Sequence, residues 1–578
     1  MGPSPEQIFQ ETEIIVKPAL FLPLLIALLP GLTSLAALPA GAQSTPPAET
    51  GEATNPAPDQ TSDETPDQTA DPRPEMAAIE QAWQRGDYVF VRQGLKRHAE
   101  ETGTALAQFR YGQVLLQGRG GPRDIDAAID WLQKAVAQNH VGAMTLLARV
   151  YLSSGFEDQD QVPEATRDPE AAAKLLLRAA PLGGAEAQYY LAQLYRSGTG
   201  VEQDLATSFT WMLAAARQDH VAAQYELSRI YSRGLGTGQD AGQAIHWLTQ
   251  AAENGHLRAQ YFLAQALELG NGTEKNMSQA IGWYRRAAEG GLPIAQRMLG
   301  THYLAGNGVE QNTDEGLRWL VAAARAGDPG AMSNLGRAYA AGEGVARDDA
   351  EAARWYRRAA EYGLGRAMIA LGALHETGRG VPQDTDQAIA LYRKALETAD
   401  AGRAMVRLGQ LAADGTLDGR VAPQVAIPWA LAAAETSDAA ALDWLETQAG
   451  AGSRAAQAGL AALYLDGDDD ARAAKGAALL QAAAQGGDAA AQLRLGQMHM
   501  TGTHVALDYV AAHKWFNIAA TLGQDAARDL RETASALMTP EQIAEAQSAA
   551  RRWFAEEEPQ PPETRQQQRE TPAPERSQ

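Results

Sequence analysis

The chain has 578 residues, a formal net charge of −22 and no cysteine. The acidic excess argues against a nucleic-acid partner, because phosphate backbones are held by lysine and arginine. The missing cysteine excludes disulfides, thiolate zinc sites and a lipidated cysteine, and it suits an exported protein.

The N-terminus carries an export pattern. Ala19 to Leu29 is an apolar run, followed by Pro30-Gly31 and then Ala40-Gly41-Ala42. This is an h-region and an Ala-x-Ala cleavage site before Gln43, so residues 1–42 read as a signal peptide and the mature chain as periplasmic or secreted. The alternative is an uncleaved membrane anchor over Ala19 to Leu38, which Pro23, Pro30 and Gly31 interrupt. Glu6, Glu11 and Glu13 do not suit a basic leader while Lys17 does, so residues 1–15 read as a start-site extension with translation beginning near Val16. Residues 43–75 hold eight acids against Arg73 alone and almost no large apolar side chain, the composition of a disordered linker.

Residues 76–104 read as an atypical helix pair, Met76 to Gln84 and Tyr88 to Glu100, built around Trp83 with Gly86-Asp87 at the turn. A polar-faced terminal pair is what a stack of repeats needs as a cap. A strict period follows. Trp211, Trp247, Trp283, Trp319 and Trp355 return every 36 residues, and Leu391 takes the next slot. Ala187, Ala223, Ala259, Ala295, Ala331 and Ala367 keep the same spacing, as do Leu191, Leu227, Leu263, Leu299, Leu335 and Leu371. So do Gly198, Gly234, Gly270, Gly306, Gly342 and Gly378. Such self-similarity marks stacked supersecondary units, so one elongated domain replaces the several globular ones that the length suggests.

Pro329 to Leu364 shows what one unit contains. Ala331, Leu335, Gly336 and Tyr339 form one face of a first helix. Gly342-Glu343-Gly344-Val345 ends it, because glycine tolerates the left-handed conformation. Asp348 offers the N-cap of a second helix, a slot filled elsewhere by Asp204, Asp240, Asn276, Asn312 and Asp384. Ala352, Trp355, Ala359 and Ala360 share a face of that helix, with the tryptophan expected to fill the space between helices. A single hairpin cannot cover its apolar face, so neighbours must stack. The predicted fold is all-α, an α-solenoid of about eleven helix-turn-helix repeats with helical caps.

The pattern Ala331-Leu335-Gly336-Tyr339-Gly342-Gly344-Val345-Asp348-Ala352-Trp355-Tyr356-Ala359-Ala360 resembles the Sel-one-like repeat (SLR), a tetratricopeptide-related α-solenoid family. The resemblance covers 105–524. Repeats one and two are separated from the regular series by about eight inserted residues within 155–166, an acidic loop. The ninth repeat loses its Gly-x-Gly turn, and an extra helix is expected over 439–448 around Trp444. C-terminal capping helices span 525–554, opened in part by the Thr539-Pro540-Glu541-Gln542 capping box. Residues 555–578, rich in Pro, Gln and Glu, read as a disordered tail. The resemblance implies adaptor roles in signalling, envelope assembly or host contact, and some members are linked to cell-wall or β-lactam chemistry.

The residues themselves carry no catalytic pattern. Ten histidines include no His-Glu-x-x-His, and His375 and His499, in the repeat's tyrosine slot, read as packed core residues. Neither a Gly-x-Ser-x-Gly elbow nor a phosphate loop is present. The recurrent carboxylates are helix caps. No catalytic residue, cofactor or metal site is expected, and the partners are other proteins or extended peptide segments, with no membrane insertion after signal cleavage. The scaffold does not demand Tyr189, Tyr225 and Tyr261, which recur on consecutive first helices. They lie about 200° around the helix from the series alanine. Two readings stand: an exposed ladder that grips a partner, or rings packed between repeats. The function expected is a non-catalytic scaffold or regulator of the bacterial cell envelope. The alternatives are a cell-wall or β-lactam-related enzyme and a cytosolic membrane-tethered hub.

The mature protein is expected to begin at Gln43 and to fractionate with the periplasm. N-terminal sequencing that finds Lys17 or Leu22 still attached would establish an anchor instead.

Overall fold

The computed structural model describes residues 76–152, 164–467 and 469–556. The expected signal peptide, linker and tail beyond 556, and residues 155–163 of the insertion, lie outside them. Every regular element among the described residues is helical. The chain divides into two compact units between Arg286 and Ala287.

In the first unit, Met76–Arg85 and Tyr88–Thr102 precede the hairpins. The first hairpins pair Ala105–Gln117 with Ile125–Ala137 and Val141–Leu152 with Pro169–Ala179. The next pair Ala185–Ser197 with Leu205–Ala216 and Val221–Arg233 with Ala241–Glu253, and Leu257–Leu269 then meets Met277–Glu289 through the Tyr261–Tyr284 ring contact. In the second unit the hairpins start at Pro293, Pro329, Gly365, Ala401, Arg454 and Ala489. A lone helix, Ala439–Gly450, stands between the fourth and fifth of these, and Ala526–Ser535 and Pro540–Glu556 end the unit. At the last helix Gln542 N–H donates to Thr539 Oγ1 at 3.3 Å and Thr539 N–H to Gln542 Oε1 at 2.9 Å, a reciprocal capping box.

Local chemistry explains the beat. Gly198, Gly234, Gly270, Gly306, Gly342 and Gly378 all end a first helix with φ between 68° and 77°. The aspartates and asparagines that follow cap the second helix: Asp204 accepts from Ala206 and Thr207 N–H at 3.0 and 3.1 Å, and Asn312 from Glu315 N–H at 3.0 Å. The second glycine of several turns has a separate reason. A Cβ on Gly236 would lie 2.0 Å from Leu205 O, and one on Gly380 2.1 Å from Asp349 C. Here the turn rests against the start of the preceding repeat's second helix, and only bare backbone fits.

The core follows from the same spacing. Each alanine of the 187–367 series is fully buried, and the leucines of the 191–371 series are at most 4% exposed. Between repeats a buried glutamine recurs. Gln188 Nε2 donates to Ala180 O at 3.1 Å, Gln224 to Ala216 O at 3.3 Å and Gln260 to Ala252 O at 3.0 Å. Gln188 Oε1 in turn accepts from Gln218 at 2.7 Å, and Gln224 Oε1 from Asn254 at 2.9 Å. These bonds satisfy the helix-end carbonyls that a hairpin alone leaves open.

The tryptophans do not take the central place expected of them. Trp211, Trp247, Trp283, Trp319 and Trp355 are half-buried. The residue after each, Met212, Leu248, Tyr284, Leu320 or Tyr356, is the buried one, as is Tyr392 after Leu391. One residue is about 100° of helix, enough to move the indole from the centre of the packed face to its edge. Cations lie over the edge rings: Arg286 is 4.5 Å from the Trp283 centroid, and Arg358 5.2 Å from that of Trp355. Trp319 Nε1 donates to Glu315 Oε1 at 2.9 Å. At the buried slot, size is matched across the hairpin. Tyr356 faces Gly336, where a Cβ would come within 2.7 Å of the ring, and Tyr392 faces Gly372 at 2.6 Å. Tyr284 and Tyr392 direct their hydroxyls to Glu268 at 2.7 Å and Glu376 at 2.9 Å.

Leu320→Ala is therefore expected to cost about 2–5 kcal/mol, as buried leucine truncations do, and Trp319→Ala clearly less. Urea melts of the two variants, with hydrogen exchange to locate the opening near the mutated repeat, check the order. A larger loss for Trp319→Ala would restore the tryptophan to the core.

Candidate partner-binding surface

The first helices of residues 141–269 bring together aromatic, histidine and charged side chains, and the tyrosine series is part of this set. Tyr225 and Tyr261 are buried, 7% and 6% exposed, and Tyr189 is half-buried. Tyr189 stacks on His220 with centroids 4.6 Å apart, Tyr225 on His256 at 4.4 Å, and Phe109 on His140 at 4.7 Å. Each histidine caps the first helix of the next repeat. His140, His220 and His256 accept through Nδ1 from the N–H groups of Ala143, Ala223 and Ala259 at 3.0–3.1 Å. The aromatic residue and its histidine are a fixed 31 positions apart, so each stack clasps one repeat to the next. Tyr261 packs edge-on against Phe262, with centroids 5.1 Å apart. Of the two readings, Tyr189 and Tyr225 take the packed one, as joints between repeats. Neighbouring repeats flank the first helices Ala185–Ser197 and Val221–Arg233 on both sides, so a position turned away from the series alanine is still covered. In the second unit an ion pair fills the same slots, Arg297 Nε lying 3.1 Å from Asp328 Oδ1.

Burial pushes the Tyr189 hydroxyl up to about 12 and raises that of Tyr225. It also holds His140, His220 and His256 below the ordinary imidazole value of 6.5. The rings are therefore neutral at pH 7, as acceptance at Nδ1 requires. His375 and His499 are half-buried, not core. Each Nδ1 lies beside a carbonyl of its own turn, Pro382 O at 3.3 Å and Ala506 O at 3.2 Å. Among the described residues no group of three or more histidines and carboxylates could hold a metal ion.

Beside the stacks runs a charged strip that the sequence reading missed. Arg149 Nη1 lies 2.9 Å from Glu186 Oε1, and its guanidinium sits 5.5 Å from the Tyr190 centroid. Arg196 reaches Glu226 at 2.9 Å across the next repeat boundary, and Arg229 meets the same carboxylate at 3.1 Å. Arg233 and Arg258 are exposed and act electrostatically on the nearby Tyr225 hydroxyl. Five arginines thus share the strip with two glutamates. These residues do not follow the period, so no repeat alignment singles them out. Only their convergence across neighbouring first helices reveals them.

The stacked helical hairpins define an α-solenoid. A family model, the Sel1 repeat, matches residues 105–140, 142–183, 185–220, 221–256, 257–292, 293–328, 329–363, 365–397, 454–488 and 489–524. The chain belongs to the Sel1 repeat family. The hairpin from Ala401 and the lone helix Ala439–Gly450 fall between those matches. A solved protective antigen of uropathogenic Escherichia coli with an SLR fold is 27% identical, with a TM-score of 0.51 over 84% of this chain and 99% of that one. A Sel1 repeat protein from Oxalobacter formigenes is 31% identical, with a TM-score of 0.41 over 55% and 93%. No relative matches among the curated proteins. Sel1 repeat proteins are in general protein-interaction scaffolds, a fold not typically catalytic.

The histidine caps set a pH dependence. A depressed imidazole pKa means that the unfolded state binds more protons below about pH 6.5. The stability these caps contribute is present above that value and is lost as pH falls. Melts of the full chain should show a midpoint that drops between pH 7.5 and 5.5, with a smaller drop in His256→Asn, which keeps a neutral cap. An equal slope in both would remove the cap as the cause. Tyr225→Ala should cost about 3 kcal/mol or more in the same melts.

Proposed function

We propose that the chain is an exported, non-catalytic scaffold or regulator of the bacterial cell envelope, which grips an extended acidic segment of a partner protein. The observation that carries the partner chemistry is the strip: five arginines, from Arg149 to Arg258, on a chain whose net charge is −22. Such a local reversal of sign steers an acidic ligand to one face and away from the rest. The strip suits an extended segment, because its charges lie side by side on consecutive first helices. The half-exposed Tyr190 beside Arg149 supplies an aromatic surface. The reading as an envelope protein rests on the apolar run and Ala40-Gly41-Ala42. No helix among the described residues is long and apolar enough to cross a membrane.

Crosslinking and pull-down from intact envelopes test the reading. Arg233→Glu with Arg258→Glu changes two exposed side chains, so stability should move by no more than about 0.5 kcal/mol per site. Partner capture should weaken about tenfold, with a loss of salt sensitivity. Unchanged capture by a folded double variant would remove the strip as the binding surface.

A further inference from the structure

The repeat beginning at Gly365 departs from its neighbours at two slots together. Leu391 stands where the regular repeats carry tryptophan, and His375 where Tyr195, Tyr231, Tyr303 and Tyr339 stand. In the preceding repeat Trp355, Tyr339 and Val321, which hold the slots of Leu391, His375 and Arg357, pack against the core. With both rings missing, these slots leave a groove open. It forms a cleft of about 190 Å³ whose apolar lining includes Ala360, Met368, Leu371 and Leu391. His375 also lines it, its Nδ1 engaged at Pro382 O. The volume is below the roughly 300–1,000 Å³ usual for small-molecule pockets. It suits one large side chain.

The rim has a sign. Arg357 and Lys394 border the cleft from the two flanking second helices, and both are exposed. Among the described residues neither has a carboxylate partner. Glu361 is the one acid at the rim, so the balance is cationic. Elsewhere such cations sit over a tryptophan of their own chain, as Arg358 sits over Trp355. Lys394 holds the slot of Arg358, and at this cleft the ring is absent while that cation remains, joined by Arg357.

We propose that this cleft is a docking pocket for an aromatic side chain, tryptophan or phenylalanine, flanked by carboxylates in a partner protein segment. The incoming ring takes the place that the repeat's own tryptophan fills elsewhere, and the flanking acids meet Arg357 and Lys394. Buried aromatic anchors in such pockets dominate binding energy. The site lies in the second unit and depends only on the reading of the chain as a protein-binding scaffold. Its test uses no residue of the arginine strip, so the two can fail separately.

The probe is a pentapeptide, Gly-Asp-(5-fluorotryptophan)-Glu-Gly, titrated with the full chain and followed by fluorine NMR, which reads weak binding. Saturable broadening is expected. Leu391→Trp installs the residue of the regular repeats, so it should melt no lower than the parent chain and weaken the peptide by about tenfold or more. Arg357→Glu with Lys394→Glu, both at exposed sites, should weaken it about tenfold while leaving the cleft intact, a difference of about 1.4 kcal/mol. Absence of saturable broadening overturns the proposal. So does equal affinity in the Leu391→Trp chain, or equal affinity for a peptide with lysines in place of the two acids.

Discussion

The spacing of this chain depends on one steric constraint. At Gly120, Gly200, Gly236 and Gly380 the turn between the two helices of a repeat lies so close to the backbone of the preceding second helix that the second glycine of Gly-x-Gly has no room for a side chain. At Gly236 the missing methyl would overlap Leu205 O, and at Gly200 it would overlap Pro169 O. A contact this tight admits one distance only. Every other recurrence inherits it: the glutamine that reaches back eight residues to a helix-end carbonyl, and the histidine that lies under the aromatic ring of the repeat before. These polar links are inside the stack, where an unpaired group costs more than a paired one contributes. They hold the register that the glycine sets.

What could be read from the sequence was what each repeat decides alone. Asp204 and Asn312 as caps, Gly198 to Gly378 as left-handed termini, and the alanine and leucine series as core all follow from local helix geometry. Within 439–448 a helix was legible from its apolar spacing and Trp444, and the structure extends it to Gly450. The errors concern what the neighbour decides. Trp319 looked central because it repeats, yet Leu320 beside it is buried. Tyr225, which points away from Ala223, left both readings open, and it is the next repeat's His256 that decides for packing. A period tells which positions are equivalent, not which side of the helix the adjoining repeat occupies. The strip from Arg149 to Arg258 is invisible for a related reason. It is made of positions that differ from repeat to repeat, and only the stacked helices place them side by side.

The two halves of the functional question therefore separate. Shape comes from the constant positions, and chemistry from the variable ones laid over them. In the first unit the variable positions bring arginine and glutamate together on consecutive first helices. In the second they take away two rings and leave a cleft below two cations. The constant alanines and leucines tolerate both because neither change reaches the buried slot at Met212, Leu248 or Tyr392. A scaffold of this kind can acquire a partner without redesign of its interior.

The fixed distance between an aromatic ring and the histidine that caps the following repeat has a bearing on how such a chain grows. Each link joins a position to one 31 residues ahead, and the chain's period is 36. Duplication of a whole period between Tyr189 and His256 therefore copies the front half of one clasp and the back half of another, and the two halves meet. The same holds for the glutamine and the carbonyl behind it. Within Tyr189 to His256, where consecutive links are the same aromatic–histidine pair, a gene segment of that length can be inserted in frame and no polar group of the clasp is stranded at the seam. Descent by unequal exchange then varies the length of the chain freely, while the chemistry of each seam stays the same.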